Sequence, residues 1–429
     1  MMNMKRVMMI AAMAAILGTG TIPSAYADVS VEDVKCTQRY PWNGLVDIEY
    51  TIACDDPEAD IYVNPVGFNG DTGLTVFPTH FTGDGATNTV KAGKHTMVWD
   101  AKADLGNLFA TKNFQIKLYA GKKLSRYIVI DISGGTEAET YPVRHSIEGP
   151  NLADDTCRTT EIWMRLIPPG TFMMGSPEDE MGRTDNEDLH KVTLTQPYYM
   201  GVFEVTQRQW ELVKGNRPSN FILDYETRPV ERVSYADVRA YCPDYRPSAS
   251  AIGPDGFLGI LRRKTSMAGF DLPTEAQWEY ACRAGTLTSF NDGSSLSGTV
   301  GSLSLNTLGR YYLNGYNGGY VSTTSSTNIT TTKVGSYRPN ALGLYDMHGN
   351  VDEWCRDFYK EHLESAHVVD PLCTIDYGYF VMVVRGSAWR HIAAESTSAH
   401  RGWASANDDN AGRDDYRGFR VSCTGNLDR

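Results

Sequence analysis

A chain of 429 residues with 52 acidic against 40 basic side chains has a formal charge of −12, which argues against nucleic acid or an anionic membrane surface as its main partner, because either needs a basic face. Its length exceeds what one hydrophobic core comfortably serves, which predicts two domains or one large elaborated one. Hydrophobic residues at 41% and charged ones at 21% are ordinary for a globular protein.

The chain starts with Lys5 and Arg6, an apolar run VMMIAAMAAILG from Val7 to Gly18, and the small-residue end Ala25-Tyr26-Ala27. This pattern predicts a signal peptide over 1–27 and an exported product, periplasmic, cell-surface or secreted. The run is too short for a permanent span, and no later segment approaches ~18 uninterrupted apolar residues. From Val29 to Ser133, runs such as GLVDIEYTIAC, HTMVWDA, NFQIKLYA and SRYIVIDIS alternate in the strand period and are separated by Gly, Asn and Asp clusters. They predict an all-β sandwich of immunoglobulin or fibronectin type over 28–133. Residues 134–156 lose periodicity and read as a linker.

Beyond Trp163 the pattern changes to a loop-rich α+β domain over 157–429. Three helices announce themselves by their starts: Thr206 before QRQW, Ser234 before YADV and Thr274 before EAQW, with Gly215 and Gly285 as stops. Eight cysteines without a CxxC pair favour structural disulfides over a metal cluster. Cys36 with Cys54, and Cys355 with Cys373, are the candidate bridges.

The ordered segments IPPGTFMMGS (167–176), YYMGVFEVTQRQW (198–210), RPVERVSYADVRAYC (228–242), FDLPTEAQWEYACRAGT (270–286), NALGLYDMHGNVDEW (340–354), RGSAW (385–389), SAHR (398–401) and GFRV (418–421) resemble the formylglycine-generating enzyme, or sulfatase-modifying factor, family. The resemblance implies a C-type-lectin-like fold with a small central sheet and long loops, and a bridge between Cys242 and Cys423. It also implies calcium at DMHGNVDE, with Asp346 and Glu353 giving side-chain oxygens and Gly349 and Val351 giving carbonyls. These groups are chemically suited to a hard cation. Asp352 stands where the family carries tryptophan. A second family calcium site is matched only by Asn314-Gly315.

The oxidases of the family hold copper on two cysteines spaced CxxxxC, because thiolates select Cu(I). Aligned on Trp389, those positions are His391 and Ser396, and no cysteine lies between Cys373 and Cys423. One imidazole and one hydroxyl make a poor Cu(I) site, so copper is not expected and neither is catalysis. The tract His400 to Arg420 is similar to the variable tract of retroelement-diversified proteins, which display polar residues on this fold. Trp389, Arg390, His391, His400, Arg401, Trp403, Asn407, Asp408, Arg413 and Tyr416 form the expected binding surface, for a protein, peptide or glycan. The expectation is therefore a non-catalytic binding module on a calcium-stabilised scaffold. Its alternative is a formylglycine-generating oxidoreductase acting on sulfatase cysteines.

Overall fold

The computed structural model describes residues 29–40, 43–105, 113–240, 251–314, 330–406 and 412–424. The chain divides into two compact units, the first ending at Ser125 and the second starting at Arg126.

The first unit is built from β1 (Val29–Gln38), β2 (Leu45–Cys54), β3 (Tyr62–Asn69), β4 (Leu74–Val76), β5 (Phe81–Gly83), β6 (Gly93–Asp100) and β7 (Phe114–Gly121). They form two antiparallel sheets, ordered β1-β2-β6-β5 and β4-β3-β7. In β2 the alternation is strict: Val46, Ile48, Tyr50 and Ile52 are buried while their neighbours are not. They meet Met97 and Trp99 of the same sheet and Val63 and Leu118 of the other in one core, as strand side chains of period two dictate. Trp99 stacks on Phe114 with ring centroids 4.9 Å apart. Cys36 and Cys54 do not bridge. Cys36 faces Ile48 while Cys54 faces Val29, so six rungs, roughly 20 Å, separate them, beyond the reach of a disulfide.

The second unit contains β8 (Tyr127–Asp131), β9 (Val143–Ser146), β10 (Glu161–Ile167), β11 (Gly170–Met174), β12 (His190–Leu194), β13 (Tyr198–Gly201), β14 (Phe270–Asp271), β15 (Asp352–Phe358), β16 (Val368–Val369), β17 (Val381–Arg385), β18 (Gly402–Ser405), β19 (Arg417–Gly418) and β20 (Ser422–Cys423). Its largest sheet runs β14-β20-β13-β10-β8-β9, and two smaller ones run β11-β12-β16 and β18-β17-β15-β19. The boundary read from the sequence is thus corrected. The run SRYIVIDIS pairs with β10, not with the sandwich, and residues 134–156 are no free linker, since β9 pairs with β8. Tyr141 ties the same segment down: its amide donates to Lys264 O at 2.8 Å and its hydroxyl to Gly135 O at 3.0 Å.

The three helices start where the capping residues place them. Thr206, Ser234 and Thr274 each accept from the backbone three residues on and receive the reciprocal side chain, a capping box in every case, for Gln207–Lys214, Tyr235–Arg239 and Glu275–Arg283. A fourth helix, Phe257–Thr265, starts at Gly256 without a side-chain cap. Among the described residues no helix is long and apolar enough to cross a membrane.

Candidate functional site

Around the helix Glu275–Arg283 the motif arginines turn inward. Arg401 grips Glu275 through Nε at 2.6 Å and Nη2 at 3.0 Å. Arg385 pairs with Glu279 and donates to the carbonyls of Ala399 and His400 at 2.8 and 2.7 Å. Arg420 takes both oxygens of Glu353 at 2.6 Å, while Trp278 Nε1 donates to the same carboxylate at 2.7 Å. All of these side chains are buried. Buried charges persist when paired and hydrogen-bonded, and RGSAW, SAHR and GFRV each supply one paired arginine, Arg385 keeping a buried Nε without a partner. Arg401 is therefore part of the core, not of the expected binding surface.

The turn 346–353 follows from its backbone. Asp346, Gly349 and Asn350 have φ of 56, 119 and 72°, and a Cβ at Gly349 would lie 2.1 Å from Arg310 O, so only glycine fits. The turn encloses three acids, of which the sequence reading missed one. Glu204 accepts from Asn350 Nδ2 at 2.6 Å and Val351 N at 3.0 Å. Burial, with the charges of Asp346 and Glu353, holds its carboxyl well above the usual range. Asp346 accepts from Gly335 N at 2.6 Å through Oδ2, and its buried Oδ1 has no partner. Burial raises its pKa to about 6.

This geometry splits the expected calcium set. Asp346 keeps an oxygen that suits a hard cation, whereas Glu353 is committed to Arg420 and Trp278 and does not fit that role. Among the described residues, no three His, Cys, Asp or Glu side chains come together as a metal cluster. At the second expected site, the Asn314 side chain is held by its own backbone neighbours. It accepts from Tyr311 N at 2.8 Å and donates to Gly309 O at 2.7 Å, and Gly315 lies outside the described residues.

At the two positions corresponding to the oxidase cysteines, Ser396 is buried, with its hydroxyl donating to Ser387 Oγ at 3.0 Å. His391 is partly exposed and points Nδ1 at Asp352 Oδ1, 3.6 Å away. Burial works against its charge, but the hydrogen bond and charge of Asp352 outweigh it and raise the His391 pKa above the ordinary value. Asp352 neither joins an ion cage nor faces water; it is buried between His391 and Arg417, the latter at 3.9 Å. The donor set holds no thiolate, so it does not fit Cu(I).

Of the expected binding residues, the structure gathers four. Trp389 lies edge-on to Phe221, with centroids 5.4 Å apart. Arg390 stacks over Tyr416 at 4.8 Å, and the His391 ring meets Tyr416 at 5.4 Å. The others go elsewhere. His400 faces Glu187 at 3.8 Å, Arg413 pairs with Asp237 at 2.9 Å, and Trp403, 59% exposed, neighbours Tyr359 at 6.4 Å. Asn407 and Asp408 lie outside the described residues. Phe221, absent from the sequence reading, sits three residues beyond Pro218 in a loop with no periodic signal.

Among the described residues the cysteines form no bridges. Cys355 and Cys373 are both unbridged; the Cys373 backbone is instead fixed by Asp357, which accepts from its amide at 2.8 Å. Cys423 is buried and unbridged, and its expected partner Cys242 lies outside the described residues.

Residues 150–424 match the model of the sulfatase-modifying factor enzyme 1-like domain. The chain belongs to this family. The sulfatase-modifying-factor domain here is 33% identical over 190 residues to the chaperone protein LppX of Paenibacillus barcinonensis, covering 39% of this chain and 65% of that one. It is 29% identical over 186 residues to the formylglycine-generating enzyme of Mus musculus, covering 43% and 40%. The chain thus spans less than two thirds of either relative. Among solved structures, PvdO from Pseudomonas aeruginosa is 28% identical, with a TM-score of 0.49 over 62% of this chain and 95% of that one.

Proposed function

We propose that this chain is an exported, non-catalytic member of its family that binds a protein or peptide ligand, with the amino-terminal unit, read as an immunoglobulin- or fibronectin-type sandwich, serving as a spacer. The reading rests on one observation above all. Two residues that depart from the oxidase pattern, His391 and Asp352, face each other at 3.6 Å. At one of the two thiolate positions an imidazole therefore faces a carboxylate, a donor set that does not supply the soft ligands Cu(I) needs. That one relative bears the name of a chaperone accords with a protein ligand. A calcium ion beside Asp346 belongs to the same proposal, supported by the uncommitted Oδ1.

The mature chain, incubated with Cu(I), oxygen and a CxPxR sulfatase peptide, is expected to leave the peptide cysteine unchanged by mass spectrometry. Turnover to formylglycine would overturn the proposal and reinstate the oxidoreductase reading.

A further inference from the structure

The loop that carries Phe221 is held from four directions. Ser219 Oγ exchanges hydrogen bonds with the Glu231 backbone at 3.1 and 3.2 Å. The amides of Asn220 and Phe221 donate to Glu231 Oε1 at 2.7 and 3.0 Å. Gln207 Nε2 donates to Phe221 O at 3.0 Å, and Arg228 Nε to Leu223 O at 2.6 Å. On this tethered backbone Ile222 and Leu223 stand 73% and 74% exposed. Two adjacent aliphatic side chains gain nothing from water, and a segment already ordered loses little entropy when a partner covers it.

Trp389 joins this apolar tip to a cationic one. It packs edge-on to Phe221 and is fixed through its amide to Asn350 O at 2.9 Å and through Nε1 to Asp415 O at 3.1 Å. Next to it Arg390 is exposed. Its guanidinium is steadied by the Tyr416 ring, and no carboxylate pairs with it among the described residues. Of the nearby acids, Asp352 lies between His391 and Arg417 and Asp414 accepts from Arg417 at 2.5 Å, while Asp415, whose carbonyl holds Trp389, forms no ion pair with Arg390. In a chain of charge −12, an exposed arginine without a paired carboxylate among the described residues suits a carboxylate arriving from outside.

We infer that Phe221, Ile222, Leu223, Trp389, Arg390 and His391 form a docking surface for an acidic peptide segment with an apolar side chain beside its carboxylate. This rests on the reading of the domain as a binder. Aliphatic tips favour a peptide over a sugar, whose rings stack on aromatic planes, and the net negative charge opposes an anionic bilayer.

The test is selection of random dodecapeptides displayed on phage against the full mature chain. Soluble synthetic copies of the enriched peptide are then titrated against wild type, Arg390→Gln and Leu223→Ser. The enriched sequences are expected to place Asp or Glu within two positions of a Leu, Ile, Phe or Met. Each substitution should weaken binding by about fivefold or more, as loss of one charged or apolar anchor implies, and so should replacing the peptide acid by its amide. Both altered residues are exposed, so unchanged thermal midpoints would separate lost contact from lost fold. No enrichment, enrichment without acids, affinity unmoved by Arg390→Gln, or tighter binding to oligogalacturonate or to phosphatidylglycerol vesicles would each overturn the inference. The formylglycine assay run on the same preparation distinguishes this failure from failure of the non-catalytic reading, because only turnover would sink the latter.

Discussion

Arg420→Met removes the positive centre of the most charge-dense part of the core. Arg420 is fully buried and donates to both oxygens of Glu353 and to the carbonyls of Gly201 and Tyr345. Its loss strands Glu353 beside Glu204 and Asp346, both of which already feel its negative charge. Removing one partner of a buried pair costs about 3–5 kcal/mol. With a urea slope of ~3 kcal/mol/M for a unit of this size, the midpoint should fall by about 1.3 M. The cost should depend on pH in a definite sense. Glu204 and Asp346 have folded pKa values above their unfolded ones, so their contribution is fully present below the unfolded values and is lost as pH rises through the folded ones, about 6 for Asp346. Without Arg420 these folded values move higher still, so the deficit should be widest near pH 7.5 and narrow at pH 5. Urea unfolding followed by the fluorescence of Trp278, which is hydrogen-bonded to Glu353, measures both. A deficit below ~1 kcal/mol, or one equal at the two pH values, would refute the view that a single arginine neutralises this cluster. Arg420→Met combined with Glu353→Gln should recover much of the loss, since the stranded charge goes with its partner.

Two other perturbations probe neighbouring groups. Millimolar calcium should raise the thermal midpoint of the wild type and not that of Asp346→Asn, and a wild-type midpoint indifferent to chelator would remove the ion from the proposal. Glu231, whose Oε2 is buried without a partner, has its carboxyl pushed up to about 7, chiefly by burial. Its contribution is thus present below the unfolded pKa and lost as pH rises through 7. Glu231→Gln should therefore flatten stability between pH 5 and 8 and gain roughly 2–3 kcal/mol at the upper end; a variant less stable than wild type at pH 8 in urea melts would contradict this.

What the sequence made legible was whatever depends on near neighbours. The helix starts at Thr206, Ser234 and Thr274 were readable because a cap and its reciprocal partner lie three residues apart. The helix Phe257–Thr265 was not, because Gly256 offers no side-chain cap. β8 was assigned to the wrong unit because its alternation says only that it is a strand. Which sheet receives it is decided by pairing with β10, some thirty residues later. The same limit applies to charge. Arg401 sits in a polar tract and reads as surface, yet its partner Glu275 lies 126 positions away. Glu204 reads as a helix-entry acid, and its burial depends on a turn 147 residues downstream. The family motifs point to the region around His391 and Ser396, while Phe221, Ile222 and Leu223 belong to no motif.

The contact between His391 and Asp352 also bears on the chain's history. On the proposed reading, a return to a copper-binding pair would take more than two substitutions. Restoring cysteines at 391 and 396 would leave Asp352 buried, 7% exposed, with Arg417 at 3.9 Å as its remaining ionic neighbour. A carboxylate so placed would repel an electron-rich thiolate and disfavour its ionisation. A copper-binding pair at 391 and 396 would therefore call for a replacement at 352 as well. On the proposed non-catalytic reading, the contact between His391 and Asp352 makes two sulfur atoms alone insufficient to rebuild a copper site.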